Sequence, residues 1–142
     1  MGDDTKRIAR RIIDEAFNSG RLEVADELIA SGWIEHDPAI PDPVTGPEGF
    51  KRVTGGYRAA FPDLNVTIEH QCAEGDTVCT RWTARGTHQG EFWGVAPTGR
   101  EVTVSGITMD RIQDGRMVES WTNWDTLGLL QQLGAVPAAA HA

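Results

Sequence analysis

The sequence predicts an α+β fold: a curved antiparallel sheet with helices packed on its concave face, enclosing a pocket. Three observations predict it. Apolar residues recur at helical spacing through the first half of the chain. The second half alternates Val, Thr, Ile and Trp with polar residues, the pattern of half-buried strands. Between those strands stand tight-turn pairs, Gly75-Asp76 and Asp114-Gly115, which suit antiparallel hairpins.

The elements follow in order. Ile8, Ile12, Ile13, Ala16 and Phe17 form the apolar stripe of a first helix, with Arg7, Arg10, Arg11, Asp14 and Glu15 between them. Asn18-Ser19-Gly20 stops it, since glycine takes the left-handed conformation that ends helices. Leu22, Ala25, Leu28 and Ile29 face inward from a shorter helix that Gly32 is expected to end. Residues 33–38 then read as a short extended segment, and Pro38, Pro41 and Pro43 as an irregular loop. Pro47 fits the first turn of a third helix, whose buried stripe is Phe50, Val53, Tyr57, Ala60 and Phe61 and which Pro62 closes. Strands are expected over residues 65–72, 77–88, 100–112 and 117–125, with a Gly- and Pro-rich connection over 89–99. In the first strand Val66, Ile68, His70 and Cys72 share a face, so His70 reads as a core histidine. A closing helix carries Leu127, Leu129, Leu130 and Leu133 and ends at Gly134.

These elements make one domain, with a core over about 4–134 and a frayed tail over 135–142. The convex face of such a sheet needs a cover, which predicts a homo-oligomer, either a homodimer or a homotetramer. The net charge of −8 argues against nucleic acid and anionic membrane surfaces as partners. No stretch approaches the ~20 apolar residues of a membrane span. Met1 to Thr5 is acidic and lacks the features of a signal peptide, so a cytoplasmic protein is expected. Cys72 and Cys79 flank a turn and read as two thiols facing each other across paired strands. No histidine pair has metal-ligand spacing, so no metal is expected.

Two segments resemble the SnoaL-like polyketide cyclases. One runs from Gly86-Thr87-His88-Gln89-Gly90 through Ala96-Pro97-Thr98-Gly99-Arg100; the other is Asp125-Thr126-Leu127-Gly128-Leu129-Leu130-Gln131-Gln132-Leu133-Gly134. Weaker echoes are His36-Asp37-Pro38, Gly46-Pro47-Glu48-Gly49 and Ala60-Phe61-Pro62-Asp63-Leu64, all in the family's order. The resemblance implies the conical α+β barrel shared with nuclear transport factor 2. It also implies ring closure of an aromatic polyketide intermediate by intramolecular aldol condensation, without metal or organic cofactor. Asp125 matches the family's acid/base aspartate at the start of the closing helix. Hydroxylases occur on the same scaffold, so a hydroxylase or an isomerase is the first alternative, and a non-catalytic ligand-binding domain the second.

An aldol cyclase must remove a carbon-bound proton, hold the enolate and protonate the new alkoxide, and one carboxylate can serve twice. Asp125 is the expected catalytic residue, although aspartate at that position also suits a helix cap. His36, on the segment before the Pro-rich loop, is the second catalytic candidate, as a donor to a substrate carbonyl. Trp121 shares the parity of Asp125 and reads as a pocket wall. His88 either faces the pocket or anchors the loop after it. Arg81, Asp110 and Arg111 are candidate substrate contacts whose facing stays open, because Val102 and Val104 have opposite parity to Ile107 and Met109. Gly106 between those pairs is expected to mark a bulge. Five tryptophans suit a hydrophobic, aromatic small-molecule substrate as well as a core.

Overall fold

A computed structural model describes residues 2–137; residues 138–142, including His141 and most of the expected tail, lie outside the described residues. Helix α1 (Gly2–Arg11) passes directly into a π-helical stretch (Ile12–Asn18), and α2 (Val24–Leu28) follows. Then come β1 (Ile29–His36), β2 (Val44–Thr45) and α3 (Gly46–Ala60). The sheet continues through β3 (Asn65–Glu74), β4 (Thr77–Thr87), β5 (Glu101–Gln113) and β6 (Arg116–Trp124), and α4 (Thr126–Gln132) closes the chain. No helix among the described residues is long and apolar enough to cross a membrane.

The six strands form one curved sheet in the order β2-β1-β6-β5-β4-β3. The hairpins fall where the sequence placed them. Gly75 at φ 61° turns β3 into β4, and Asp114 at φ 53° with Gly115 at φ 77° turns β5 into β6. Cys72 and Cys79 are directly opposite in the β3–β4 register, both as free thiols. The sheet is not wholly antiparallel, however. Strand β1 runs parallel to β6, pairing Ile34 with Glu119 and His36 with Trp121. Gly32 does not end a helix; it lies inside β1, where the register shifts between Ile29 and Ile34.

Strand parity decides which side chains look inward. The β4–β5 register runs unbroken from Thr77–Arg111 to Thr87–Glu101, so no bulge occurs at Gly106. Val102, Val104, Gly106, Thr108, Asp110 and Ile112 therefore share the inner face, while Ile107 and Met109 are 53% and 41% exposed on the outer one. Gly106 serves a different need. A Cβ there would lie 2.7 Å from Trp124 Cβ and closer still to the Trp82 ring, so glycine makes room for two indoles over the sheet. Bulges occur elsewhere. One at Glu69 reverses the parity of β3, which turns His70 outward into solvent instead of into the core. Another at Val118 sets Ser120, Thr122 and Trp124 inward and Glu119, Trp121 and Asn123 outward.

Two apolar clusters hold the helices to the concave face. Ile8, Ile12, Leu28, Trp33, Phe50, Val78 and Met117 form one. Phe61, Phe92, Val102, Val104, Leu129 and Leu133 form the other. Between them a cavity remains.

Candidate functional site

The cavity takes its walls from both clusters. Ile12, Phe17, Phe50, Tyr57 and Phe61 approach from the helical side, and Trp82, Val104 and Trp124 from the sheet. Most of this lining is apolar, yet three carboxylates reach it: Glu35 and Asp37 from β1 and its end, and Asp110 from β5. Trp33, Glu35 and Asp37 alternate with Ile34 and His36, so the same parity that buries Trp33 delivers both acids inward.

Each carboxylate is met by a hydrogen-bond donor that traces to an indole. The Trp124 Nε1–H donates to Asp37 Oδ2 at 2.9 Å, and the Ala39 N–H donates to Asp37 Oδ1 at 2.8 Å. Both oxygens of Asp37 are thus occupied by structural bonds. The Trp33 Nε1–H donates to Ser120 Oγ at 2.9 Å, and the Ser120 hydroxyl donates to Asp110 Oδ1 at 2.6 Å. The Thr122 hydroxyl donates to Glu35 Oε2 at 3.0 Å. Burial is the leading influence on two of these groups. It pushes the Glu35 carboxyl up to about 7 against the opposing Thr122 bond, with the Asp37 and Asp110 charges adding to the rise. It pushes Asp110, 4% exposed, up to about 6 against the Ser120 bond. Burial likewise raises the Tyr57 phenol, which therefore stays protonated. The Tyr57 hydroxyl has no hydrogen-bond partner among the described residues, and its side chain lines the cavity.

The expected site residues separate by parity. Of the seven, Asp110 alone lines the cavity. Asp125 is exposed, and its Oδ1 accepts the Gly128 N–H at 2.9 Å as the N-cap of α4. The expectation of an inward-facing Asp125 is therefore corrected: the odd positions of β6 lead to the outer face. His36 is outward as well, with Nε2 2.8 Å from Glu119 Oε2 and its ring stacked on Trp121 at 5.6 Å. Arg111 Nη2 donates to Glu119 Oε1 at 3.2 Å from the same side, and these two bonds hold the Glu119 carboxyl below its usual range, His36 contributing more than Arg111. Trp121 is 37% exposed there rather than a cavity wall; Trp124 takes that role. Arg81 is exposed on the outer face of β4. His88 is fully buried at the root of the 88–100 connection, its Nδ1 accepting the Thr98 N–H at 3.1 Å and its Nε2 unpartnered. No cluster of three or more His, Cys, Asp or Glu among the described residues could hold a metal ion.

Glu35, Tyr57, Ser120 and Thr122 were not singled out by sequence. The signal for them was local: Trp33 fixes the inward parity of β1, and Glu35 is its next inward neighbour.

The model of the SnoaL-like polyketide cyclases matches residues 7–133. The chain belongs to that family. Nogalonic acid methyl ester cyclase of Streptomyces nogalater is 31% identical over 121 residues, covering 84% of this chain and 90% of that protein. The crystal structure of IdmH from Streptomyces antibioticus, a candidate polyketide cyclase, superposes with a TM-score of 0.80 at 40% identity, covering 92% of this chain and 98% of that one. AclR from Streptomyces galilaeus, a candidate hydroxylase, superposes with a TM-score of 0.85 at 29% identity, covering 97% and 85%. The SnoaL-like fold of this chain thus frames a cavity with an apolar lining, interior carboxylates and an unbonded phenol.

Glu35 carries a consequence for stability. Its ordinary value is 4.5, and in the folded chain it lies near 7, so between those values the native state holds a proton that the unfolded chain has released. Stability contributed by this group is complete below about pH 4.5 and is lost as the pH rises through 7. Asp110 acts in the same direction between 3.8 and about 6. Glu35→Gln removes the first of these terms. In urea unfolding it is expected to exceed wild type by on the order of 2 kcal/mol at pH 8 and to lose that advantage near pH 4.

Proposed function

We propose that this SnoaL-like chain closes a ring in a hydrophobic aromatic polyketide by intramolecular aldol condensation, without metal or organic cofactor. Glu35 acts as the acid/base in place of the exposed helix cap Asp125. The observation that supports this reading most is a carboxyl near pH 7 inside an apolar cavity, beside a phenol with no protein partner. A base with that affinity can accept a carbon-bound proton at neutral pH and return it later, which an exposed aspartate does poorly.

The steps balance around one proton. Glu35 takes the proton from a carbon flanked by carbonyls, leaving an enolate. The enolate carbon attacks a second carbonyl of the same molecule, one C–C bond forms, and the carbonyl π pair becomes an alkoxide. The protonated Glu35 gives its proton to that alkoxide. Tyr57 donates its O–H to the oxygen on which negative charge develops, and its raised affinity for the proton keeps it a donor throughout. Asp110 titrates near 6 and is held by Ser120, so it shapes the charge that Glu35 meets. Trp82, Trp124 and Phe61 provide flat apolar surface for the fused rings.

The test is turnover of aromatic polyketide methyl esters, beginning with the one for which the Streptomyces nogalater relative is named. Ring closure yields an isomer of unchanged mass, whereas hydroxylation adds an oxygen atom and consumes O2. Glu35→Gln is expected to lower kcat by ~100-fold or more and Tyr57→Phe by ~10-fold or more. Asp125→Asn, which keeps the helix cap, is expected to stay within ~3-fold. Equal losses for Asp125→Asn and Glu35→Gln would return the chemistry to Asp125.

The homo-oligomer belongs to the same proposal. Ile34, Ile107, Met109 and Trp121 are exposed together on the outer sheet face beside the Arg111–Glu119–His36 group, whose mixed charges suit a second copy related by a two-fold axis. Light scattering is expected to give a dimer or tetramer for wild type and smaller particles for Met109→Glu; a wild-type monomer would remove this part of the reading.

A further inference from the structure

Glu35 stands at the end of a longer chain of hydrogen bonds than Asp110 or Asp37. The Trp82 Nε1–H donates to Thr108 Oγ1 at 3.0 Å. Thr108 Oγ1 lies 3.2 Å from Thr122 Oγ1, and the Thr122 hydroxyl donates to Glu35 Oε2 at 3.0 Å. These four residues come from β4, β5, β6 and β1, four strands side by side in the sheet. An indole can only donate, and each threonine has one proton to give. Thr122 gives its proton to Glu35, so its oxygen must accept from Thr108. Thr108 gives its proton to Thr122, so its oxygen accepts from Trp82. Every bond then points toward the ionised carboxylate; in the reversed order Glu35 must carry the proton and the Thr108 hydroxyl proton loses its acceptor, although the two lone pairs of Thr108 can take the indole proton in either order.

We infer that Trp82 is a positioning residue for the reaction: its indole N–H, donated to Thr108, strengthens a relay through Thr122 that holds Glu35 as a hydrogen-bond acceptor. The inference rests on the reading of Glu35 as the base. The Thr122 bond favours the ionised form of Glu35 against burial and orients it, with Oε1 left for the substrate proton. Without the indole N–H, Thr108 is a weaker donor to Thr122 and Thr122 a weaker donor to Glu35, so the carboxyl holds its proton at a higher pH, where a base is needed. The other groups facing Glu35 are Asp37 at the end of β1, Asp110 from β5 and Tyr57 from α3, with the charge of His36 acting from the outer face, and none of them belongs to the relay. The parallel chain from Trp33 through Ser120 to Asp110 provides an internal control, because it shares no residue with this one.

The test is a side-chain carboxyl NMR titration of the full chain, labelled with 13C in Glu and Asp, without substrate. Trp82→Phe keeps most of the ring and removes the N–H. It is expected to raise the Glu35 midpoint by about one pH unit while Asp110 stays in place. Thr108→Val is expected to do the same and Thr108→Ser to restore the wild-type midpoint. The Trp82→Phe/Thr108→Val double variant should move Glu35 no further than either alone, as members of one chain do. An unmoved Glu35 midpoint in both Trp82→Phe and Thr108→Val overturns the inference, as does an equal movement of Glu35 and Asp110, which would report general loosening. Should Trp82→Phe not fold, the Thr108→Val and Thr108→Ser pair decides alone. Because no substrate is present, this result stands apart from the turnover comparison of Glu35→Gln with Asp125→Asn.

Discussion

A carboxylate inside an apolar cavity needs a donor, and in this fold the donors begin at tryptophan. Trp33, Trp82 and Trp124 stand on the inner face, and each commits its only proton to a path that ends on Asp110, Glu35 or Asp37. Burying an ionisable group costs several kcal/mol when it is left unpaired, so these bonds are a condition of the acids being there at all. They are also incomplete as solvation. Glu35 and Asp110 each accept one bond from a hydroxyl, and burial still outweighs it, which leaves both near the pH at which a proton can be exchanged. The same arrangement therefore makes the interior tolerable and makes it chemically poised.

The backbone serves this arrangement in specific places. The absent side chain at Gly106 admits Trp82 and Trp124 over the sheet. The bulge at Val118 sets the inward parity of Ser120 and Thr122, the last hydroxyls before Asp110 and Glu35. The parallel pairing of β1 with β6 brings Glu35 beside Thr122, since Glu35 pairs with Ser120 in that register. The closing helix is held at its start by Asp125 on the Gly128 N–H, and Leu129 from that helix completes the cavity wall. Asp125 thus supports the site by capping, from outside it.

Much of the fold was legible in sequence because hydrophobic period and turn residues act locally. The stripe from Ile8 to Phe17, Pro47 at the head of α3 and the two hairpin pairs each carry their own signal. The family was legible for a different reason, since the Gly86–Arg100 and Asp125–Gly134 segments keep their residues in order. The site was not, and the cause is parity. A one-residue bulge moves every later side chain to the other face, and bulges at Glu69 and Val118 leave little mark in sequence. Strand β6 does run unbroken from Glu119 to Trp124, so it was the inward placing of Asp125 that made Trp121 look like a wall, and expecting a bulge at Gly106 left Asp110 undecided. His36 drew notice for its chemistry, whereas its neighbour Glu35 has the inward parity. The partners that tune Glu35 sit on β5 and β6, and only the assembled sheet brings Thr108 and Thr122 to it.

Chemistry among the interior carboxylates, and not on the outer face, requires the reacting molecule to bind inside the cavity. The most direct measurement is a crystal structure with a planar enol mimic of a β-dicarbonyl aromatic. The mimic is expected within the cavity, its enol oxygen in hydrogen-bond reach of the Tyr57 hydroxyl and its acidic carbon next to Glu35 Oε1. A mimic seated instead in the shallow depression between His36, Pro41, Pro43 and Trp121, on the outer face, would contradict it.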